Sequence, residues 1–80
     1  MNESITVTIQ LLAHYRENRF KVEERVYSSG TTAKNIIDEL GINECKFSLG
    51  ILMVNAKHEK EEYILQEGDI LVLSPRLGGG

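Results

Sequence analysis

The C-terminal residues 76–80, Arg-Leu-Gly-Gly-Gly, form the stretch of the sequence that is best suited to chemistry. Three consecutive glycines add nothing to a core and lose backbone entropy when they become ordered, so the fold itself does not need them. A tail without Cβ atoms can extend through a narrow channel and bring the main-chain carboxylate of Gly80 to a reagent held by another protein. The alternative interpretation is a frayed end or a cloning scar, since chain termini are commonly disordered.

The other residues with reactive side chains lack the companions that catalysis or metal binding needs. Cys45 is the single cysteine, which excludes an internal disulfide and is too few for a zinc or iron–sulfur site. His14 and His58 lie far apart in the sequence, without a nucleophile or ligand at a meaningful spacing. Asp69 follows Gly68 in a turn, where an aspartate commonly bonds to nearby backbone N–H groups. We therefore expect no catalytic side chain and no metal site.

Length and composition indicate one small globular domain. The chain has 80 residues, of which 41% are hydrophobic and 26% are charged, and these values are ordinary for a folded domain. Nine basic and twelve acidic residues give a net charge of −3, which disfavours nucleic acid as a partner. No apolar run approaches the roughly 20 residues that cross a bilayer, and the first residues lack the basic region of a signal peptide. We expect a cytoplasmic protein, without membrane association, that is a monomer when free.

Alternating apolar residues predict two strands in the first third of the chain. The first covers residues 5–11, and its odd-numbered residues share one buried face. The second covers residues 20–26, with Val22 and Val26 predicted to point inward. Glu24 falls in the same phase, so we expect a bulge or a sheet edge there rather than a buried carboxylate. The two runs predict a β-hairpin.

A helix and further strands follow. The i, i+3, i+4 and i+7 spacing of apolar residues predicts a helix of roughly residues 32–40, which begins at a cap near Thr32 and ends at Gly41. Two apolar runs, residues 51–54 and 70–74, predict strands. The second run is apolar on both faces, as is typical of a central strand.

The predicted order is strand, strand, helix, strand, a short strand or turn near Tyr63, and strand. One helix on one face of a mixed sheet of about four or five strands is the α+β arrangement called the β-grasp or ubiquitin-like roll. In this fold the first and last strands pair in the middle of the sheet. We expect residues 1–75 to form the β-grasp domain and residues 76–80 to form a flexible, glycine-rich tail.

Taken together, these features resemble the MoaD/ThiS family of sulfur carriers. The family comprises the small subunit of molybdopterin synthase and the sulfur carrier of thiamin-thiazole synthesis. The resemblance covers almost the whole chain, and it is carried by the hairpin of residues 5–26, Gly30-Thr31-Thr32, Leu40-Gly41, Val54-Asn55, Leu65-x-x-Gly68-Asp69 and the glycines after Pro75. The family requires two terminal glycines; the third one here lengthens the reach by ~3.5 Å.

The resemblance implies that Gly80 is the functional residue. Its carboxylate would be adenylated by a ubiquitin-activating-type adenylyltransferase that uses ATP. It would then become a thiocarboxylate that donates sulfur to a larger synthase subunit in molybdopterin or tungstopterin biosynthesis. Gly78 and Gly79 would let the tail thread into both active sites. The protein itself would bind no cofactor and would be a carrier rather than an enzyme.

Three other functions remain open. The first is the thiamin-thiazole branch of the family, with thiazole synthase as the partner. The second is a ubiquitin-like modifier that is joined through its C-terminal glycine to a lysine of another protein. The third is a plain binding module in which the glycines are incidental.

Surplus apolar residues predict a docking surface. One helix covers one face of a sheet, so apolar residues should emerge on the opposite face and mark a partner site. The residues expected on this face are Leu12, Leu52 or Met53, and Leu71 or Leu73. With Arg76 and Leu77 beside the tail, Leu71 and Leu73 are predicted to contact the adenylating enzyme and the larger synthase subunit.

Overall fold

The computed structural model of the chain describes residues 3–44 and 48–76. Within those ranges the chain forms a five-stranded mixed sheet and one α-helix. The elements are β1 (Ser4–Leu11), β2 (Val22–Ser28), α1 (Ala33–Glu39), β3 (Leu49–Val54), β4 (Lys57–His58) and β5 (Ile70–Pro75). The strand order is β2-β1-β5-β3-β4, with β1 and β5 parallel and the other neighbours antiparallel. The predicted β-grasp arrangement is confirmed, including the central pairing of the first and last strands.

The core lies between α1 and one face of the sheet. The period-two spacing of β1 buries its odd-numbered residues, as predicted, and the spacing of α1 buries Ala33, Ile36 and Ile37 in the same cluster. The buried hydrophobic residues are Ile5, Val7, Ile9, Leu11, Tyr15, Ala33, Ile36, Ile37, Ile42, Leu52, Val54, Leu65, Leu71 and Leu73. Burial of one large aliphatic side chain contributes on the order of 1.5–3 kcal/mol, so this layer is the main source of stability.

Helix α1 is one residue shorter at each end than the predicted range of roughly 32–40, and its predicted cap at Thr32 is confirmed. The Thr32 side chain accepts a hydrogen bond from the Asn35 N–H at 3.2 Å, and Asn35 Oδ1 accepts one from the Thr32 N–H at 2.9 Å. This reciprocal capping box satisfies two backbone donors at the helix start. Gly41, after the last helical turn, has a φ of +74°, which glycine adopts without strain.

The side chains of strand β2 lie on the opposite faces of the sheet from those predicted. Its register with β1 pairs Val7 with Arg25, and cross-strand partners share a face, so the odd-numbered residues of β2 lie on the helix side. Val22 and Val26, predicted to point inward, are 58% and 67% exposed. The ladder continues past Glu24 without a register shift, so no bulge occurs there. The alternative, an edge position for Glu24, is confirmed because β2 is an edge strand.

Long amphipathic side chains explain why the helix side of β2 is polar. Tyr27 packs against the core and donates a hydrogen bond to Glu39 Oε1 at 2.7 Å. The Arg25 guanidinium lies 5.0 Å from the centroid of the Phe20 ring. It also pairs with Glu23 at 3.1 Å and with Glu39 at 3.4 Å. The apolar parts of these side chains shield the margin of the core while their polar ends reach water.

A cluster of hydrogen bonds connects the turn between β3 and β4 to the turn that precedes β5. Asn55 has a left-handed φ of +53°, as the first residue of a tight hairpin turn requires. Its Nδ2 donates to Asp69 Oδ1 at 2.8 Å, and its Oδ1 accepts from the Ile70 N–H at 3.0 Å. Asp69 Oδ2 accepts from the Gln66 N–H at 2.8 Å and from the Tyr63 hydroxyl at 3.2 Å. The predicted structural role of Asp69 in its turn is confirmed.

Candidate functional site

The predicted reactive residues follow the end of β5 in the sequence. The residues with predicted or considered roles that lie outside the described ranges are Cys45, Leu77, Gly78, Gly79 and Gly80. Their roles therefore stay predictions. The structure describes the part of the domain from which the tail departs. We call this part the tail root and define it as Ser48, Gly50, Pro75 and Arg76.

A β-bulge in β3 forms one side of the tail root. Leu49 pairs with Pro75 and Ile51 pairs with Ser74, so Gly50 is an extra residue opposite the end of β5. Bulges bend a strand and end its regular pairing. The regular ladder between β3 and β5 is interrupted at Gly50, and pairing continues beyond it between Leu49 and Pro75.

A backbone hydrogen bond fixes the residue that precedes the tail. The Arg76 N–H donates to the carbonyl oxygen of Ser48 at 2.7 Å. The Arg76 side chain is exposed, whereas Pro75 and Ser74 are buried. The main chain is thus held by the sheet up to Arg76, directly before Leu77 and the three glycines of the sequence.

Leu71 and Leu73 are core residues, which corrects the predicted docking surface. Both are fully buried, because their register with β1 places them beside its buried residues on the helix side. The opposite face of β5 presents Ile70 and Val72 instead. A strand that is apolar on both faces has no alternation, so the sequence pattern did not show which residues face the helix.

The sheet face without a helix carries a different apolar set, which we call the open face. Its residues, placed by the strand register, are Val22, Val26, Ile51, Met53, Ile70 and Val72. Ile70 is 45% exposed and Ile51 is 37% exposed, while Met53 and Val72 are half-buried. Met53, predicted for this face, is confirmed there, whereas its alternative Leu52 is buried. Exposed apolar surface of this kind is typical of partner sites.

An open groove of about 530 Å³ lies beside the tail root. Its lining consists of Leu49, Gly50 and Leu52 together with the segment of residues 58–62, which includes three glutamates. This segment continues to Tyr63, whose carbonyl oxygen accepts a hydrogen bond from the Ala33 N–H at 3.0 Å. The groove wall is therefore attached to the start of α1.

The two histidines lie in different surroundings. His14 Nδ1 lies 3.2 Å from Glu17 Oε2, within hydrogen-bonding distance, and His58 is exposed on β4, opposite Met53. In the described part of the chain, no group of three or more His, Cys, Asp or Glu side chains is placed to hold a metal ion. Residues 3–44 and 48–76 also contain no helix that is long and apolar enough to cross a membrane.

Comparison of the sequence with protein-family models gives no match, and comparison with curated proteins gives none. Solved structures do match. The Pyrococcus furiosus protein described as molybdopterin converting factor subunit 1 has a TM-score of 0.75 and 20% identity, covering 91% of this chain and 99% of that one. Small archaeal modifier protein 1 of Haloferax volcanii has a TM-score of 0.74 and 15% identity, with coverage of 91% and 99%. The Haloferax volcanii protein HVO 2177 has a TM-score of 0.77 and 15% identity, with coverage of 96% and 88%.

These matches define the class of fold. At identities of 14–20% the likeness establishes the ubiquitin-like β-grasp fold and carries no function with it. The structural neighbours are a molybdopterin converting factor subunit and small archaeal modifiers, which agrees with the resemblance of the sequence to MoaD/ThiS proteins.

Gly50 was not predicted as a site residue, although the sequence contains a signal for it. A glycine at the start of an apolar strand often marks a bulge or a close approach of another backbone. Gly50 directly precedes the run of residues 51–54. What the sequence could not show is that the approaching backbone belongs to Arg76, because the contact depends on how β3 and β5 pair.

Proposed function

We propose that this protein is a sulfur carrier of the MoaD/ThiS type that works in molybdopterin or tungstopterin biosynthesis. The observation that carries the proposal is the tail root: the central strand of a β-grasp sheet ends at Pro75, and Arg76, Leu77 and three glycines follow it in the sequence. The fold, shared with a molybdopterin converting factor subunit, supports the same assignment. The reactive group of the proposal is the main-chain carboxylate of Gly80.

The proposed chemistry explains why the tail has no side chains. A carboxylate is a poor electrophile, so its oxygen first bonds to the α-phosphorus of ATP and pyrophosphate leaves. A sulfur nucleophile then attacks the carbonyl carbon, and AMP leaves with the carboxylate oxygen. When the nucleophile is a persulfide, the product is an acyl disulfide between Gly80 and the sulfur donor. A thiol then attacks the donor's sulfur and forms a new disulfide with it, and the thiocarboxylate on Gly80 leaves. Gly78 and Gly79 allow an extended chain to reach these reagents without steric conflict.

The partners follow from this chemistry. A ubiquitin-activating-type adenylyltransferase binds the ATP, and the larger synthase subunit accepts the sulfur. The carrier contributes a tail and a docking surface, binds no cofactor of its own and has no catalytic side chain. The open face replaces Leu71 and Leu73 as the proposed apolar contact, while Arg76 and Leu77 remain proposed contacts beside the tail.

A second candidate function is a protein modifier. The observation that favours it is the match to small archaeal modifier protein 1 over 99% of that chain. A modifier needs the same fold, tail and adenylation, but its activated glycine forms an amide bond with a lysine amine. The thiamin-thiazole carrier has the same activation step and differs only in the acceptor.

Removal of the last two glycines tests the activation step. The purified protein is mixed with the activating enzyme of its source organism, ATP and labelled pyrophosphate, and the exchange of label into ATP is measured. We expect exchange with the full chain and none with a variant that lacks Gly79 and Gly80. A variant that lacks residues 1–2 is the matched control and should behave as the full chain. Equal exchange by the tail-deleted variant would contradict the proposal.

A further inference from the structure

Gly50 and Arg76 approach so closely that a side chain at position 50 does not fit. A Cβ added to Gly50 would lie 2.5 Å from the Cα of Arg76, 2.7 Å from its nitrogen and 3.0 Å from the carbonyl carbon of Pro75. All three are backbone atoms, so no side-chain rotation relieves the conflict. Either β3 or the end of β5 has to shift when residue 50 carries a side chain.

The requirement for glycine at position 50 concerns space rather than backbone conformation. The glycines with a positive φ in the described ranges are Gly30, Gly41 and Gly68, and nothing lies within 4 Å of a Cβ added to any of them. Gly50 differs from these glycines because a Cβ there would collide with the backbone of Pro75 and Arg76. The close approach is the same contact that allows the Arg76 N–H to reach the Ser48 carbonyl oxygen.

We propose that Gly50 is a positioning residue that fixes the backbone of Arg76, the last described residue before the tail. With no side chain at position 50, the backbone of Arg76 lies against β3 and bonds to Ser48. A partner that docks on the domain then has one residue fewer to order before the reaction. This inference rests on the proposed function, because the position of Arg76 matters only if a partner has to receive Gly80.

Loss of the contact between Gly50 and Arg76 should slow adenylation more than it weakens the binding of the domain to the activating enzyme. When Arg76 is released, one additional residue has to be ordered in each productive complex, which lowers the reactive fraction by roughly tenfold. The open face is unaffected, so the affinity of the domain for the activating enzyme should stay the same. The expected result is a fall in the kcat of adenylation with little change in KM.

Two glycine-to-alanine substitutions near opposite ends of β5 test the proposal. Gly50→Ala introduces the conflict at the tail root. Gly68→Ala is the matched control, because it strains a left-handed turn with a φ of +82° and has open space for the Cβ. For each variant, the hydrogen exchange of the Arg76 amide is measured by NMR, and the kcat and KM of adenylation are measured with the activating enzyme.

We expect Gly50→Ala to speed the exchange of the Arg76 amide at least about tenfold and to lower kcat by roughly tenfold. Gly68→Ala should leave both quantities within about twofold of the wild-type values. An Arg76 amide that is equally protected in Gly50→Ala and the wild type overturns the inference, as does an unchanged kcat. If the wild type is not adenylated at all, the proposed function fails, and the amide measurement alone decides whether Gly50 fixes the tail root.

A second pair of variants covers the case in which Gly50→Ala does not fold. Arg76→Pro removes the N–H that bonds to Ser48 without adding an atom to β3, and Arg76→Ala removes the same charge but keeps the N–H. A kcat that is roughly tenfold lower in Arg76→Pro than in Arg76→Ala supports the inference. Equal kcat values for the two variants overturn it.

Discussion

Tyr27 lies at the margin of the core, where its hydroxyl donates a 2.7 Å hydrogen bond to Glu39. Desolvation, followed by this bond to Glu39, raises the pKa of Tyr27 from its ordinary value of 10.0 to about 12. The folded protein therefore holds the phenol proton more tightly than the unfolded chain does. The resulting stabilisation is present below pH 10 and is lost as the pH rises toward 12.

Tyr27→Phe tests this linkage. Between pH 10 and pH 12, the free energy of unfolding of the wild type should fall more steeply than that of the variant. Below that window the variant should be less stable by roughly 0.5–1 kcal/mol, because the lost bond is partly exposed. Urea unfolding at a series of pH values measures both quantities. Parallel curves for the two proteins would show that Tyr27 does not titrate as its surroundings require.

The core residues of β1 could be predicted from the sequence, whereas those of β5 could not. The alternation of β1 was sufficient to predict Ile5, Val7, Ile9 and Leu11 as core residues, because polar residues mark its other face. Leu71 and Leu73 had no such mark, since Ile70 and Val72 on the other face of the strand are apolar too. Their burial follows from the register with β1, which is set by the whole sheet.

The two faces of strand β5 differ in burial and in the residues that they contact. Its buried face belongs to the core, and its other face presents Ile70 and Val72 on the open face. Strand β2 is divided in the same way: Val22 and Val26 are exposed, while Arg25 and Tyr27 lie on the helix side. The polar helix side of β2 could not be predicted from alternation, because long side chains with polar ends substitute there for apolar ones.

Ile70→Asp tests the open face as the docking surface. Ile70 is 45% exposed on the open face, whereas Ile64 is 53% exposed outside the sheet, in an isolated bridge to Thr32 beside the helix start. The same substitution at Ile64 is therefore a control matched in residue type and exposure. We expect Ile70→Asp to weaken binding to the activating enzyme at least about tenfold and Ile64→Asp to leave it within about twofold.

Unfolding curves of both variants are the control for folding. Each substitution changes an exposed residue, so we expect both domains to stay folded. Equal affinities for the two variants would rule out the open face as the docking surface. Leu71→Asp cannot serve in this experiment. It would place a carboxylate in the core, and we expect that variant to unfold.

At the scale of the whole molecule, the fold was predictable because several weak signals agreed. The alternation of β1, the helix caps at Thr32 and Gly41 and the Gly68-Asp69 turn each indicated the same β-grasp order. The candidate site was predictable in part. The run of glycines led to the prediction that Gly80 is the reactive end, and this residue lies outside the described ranges. The contact between Gly50 and Arg76 joins residues that are distant in sequence, so it required the structure.

Under the proposed function, the domain would support a tail whose main-chain carboxylate carries the chemistry. Stability and partner binding would then depend on side chains of the sheet and helix, whereas reactivity would depend on residues without side chains.

The intact mass of the protein after activation distinguishes a sulfur carrier from the other candidate functions. The full chain is incubated with the activating enzyme of its source organism, ATP and a sulfur donor, and is then examined by mass spectrometry. We expect a gain equal to the difference between one sulfur and one oxygen atom, located by fragmentation on Gly80 and absent from the variant that lacks Gly79 and Gly80. An unchanged mass, or a product found only as adducts with other proteins, would contradict the assignment as a sulfur carrier.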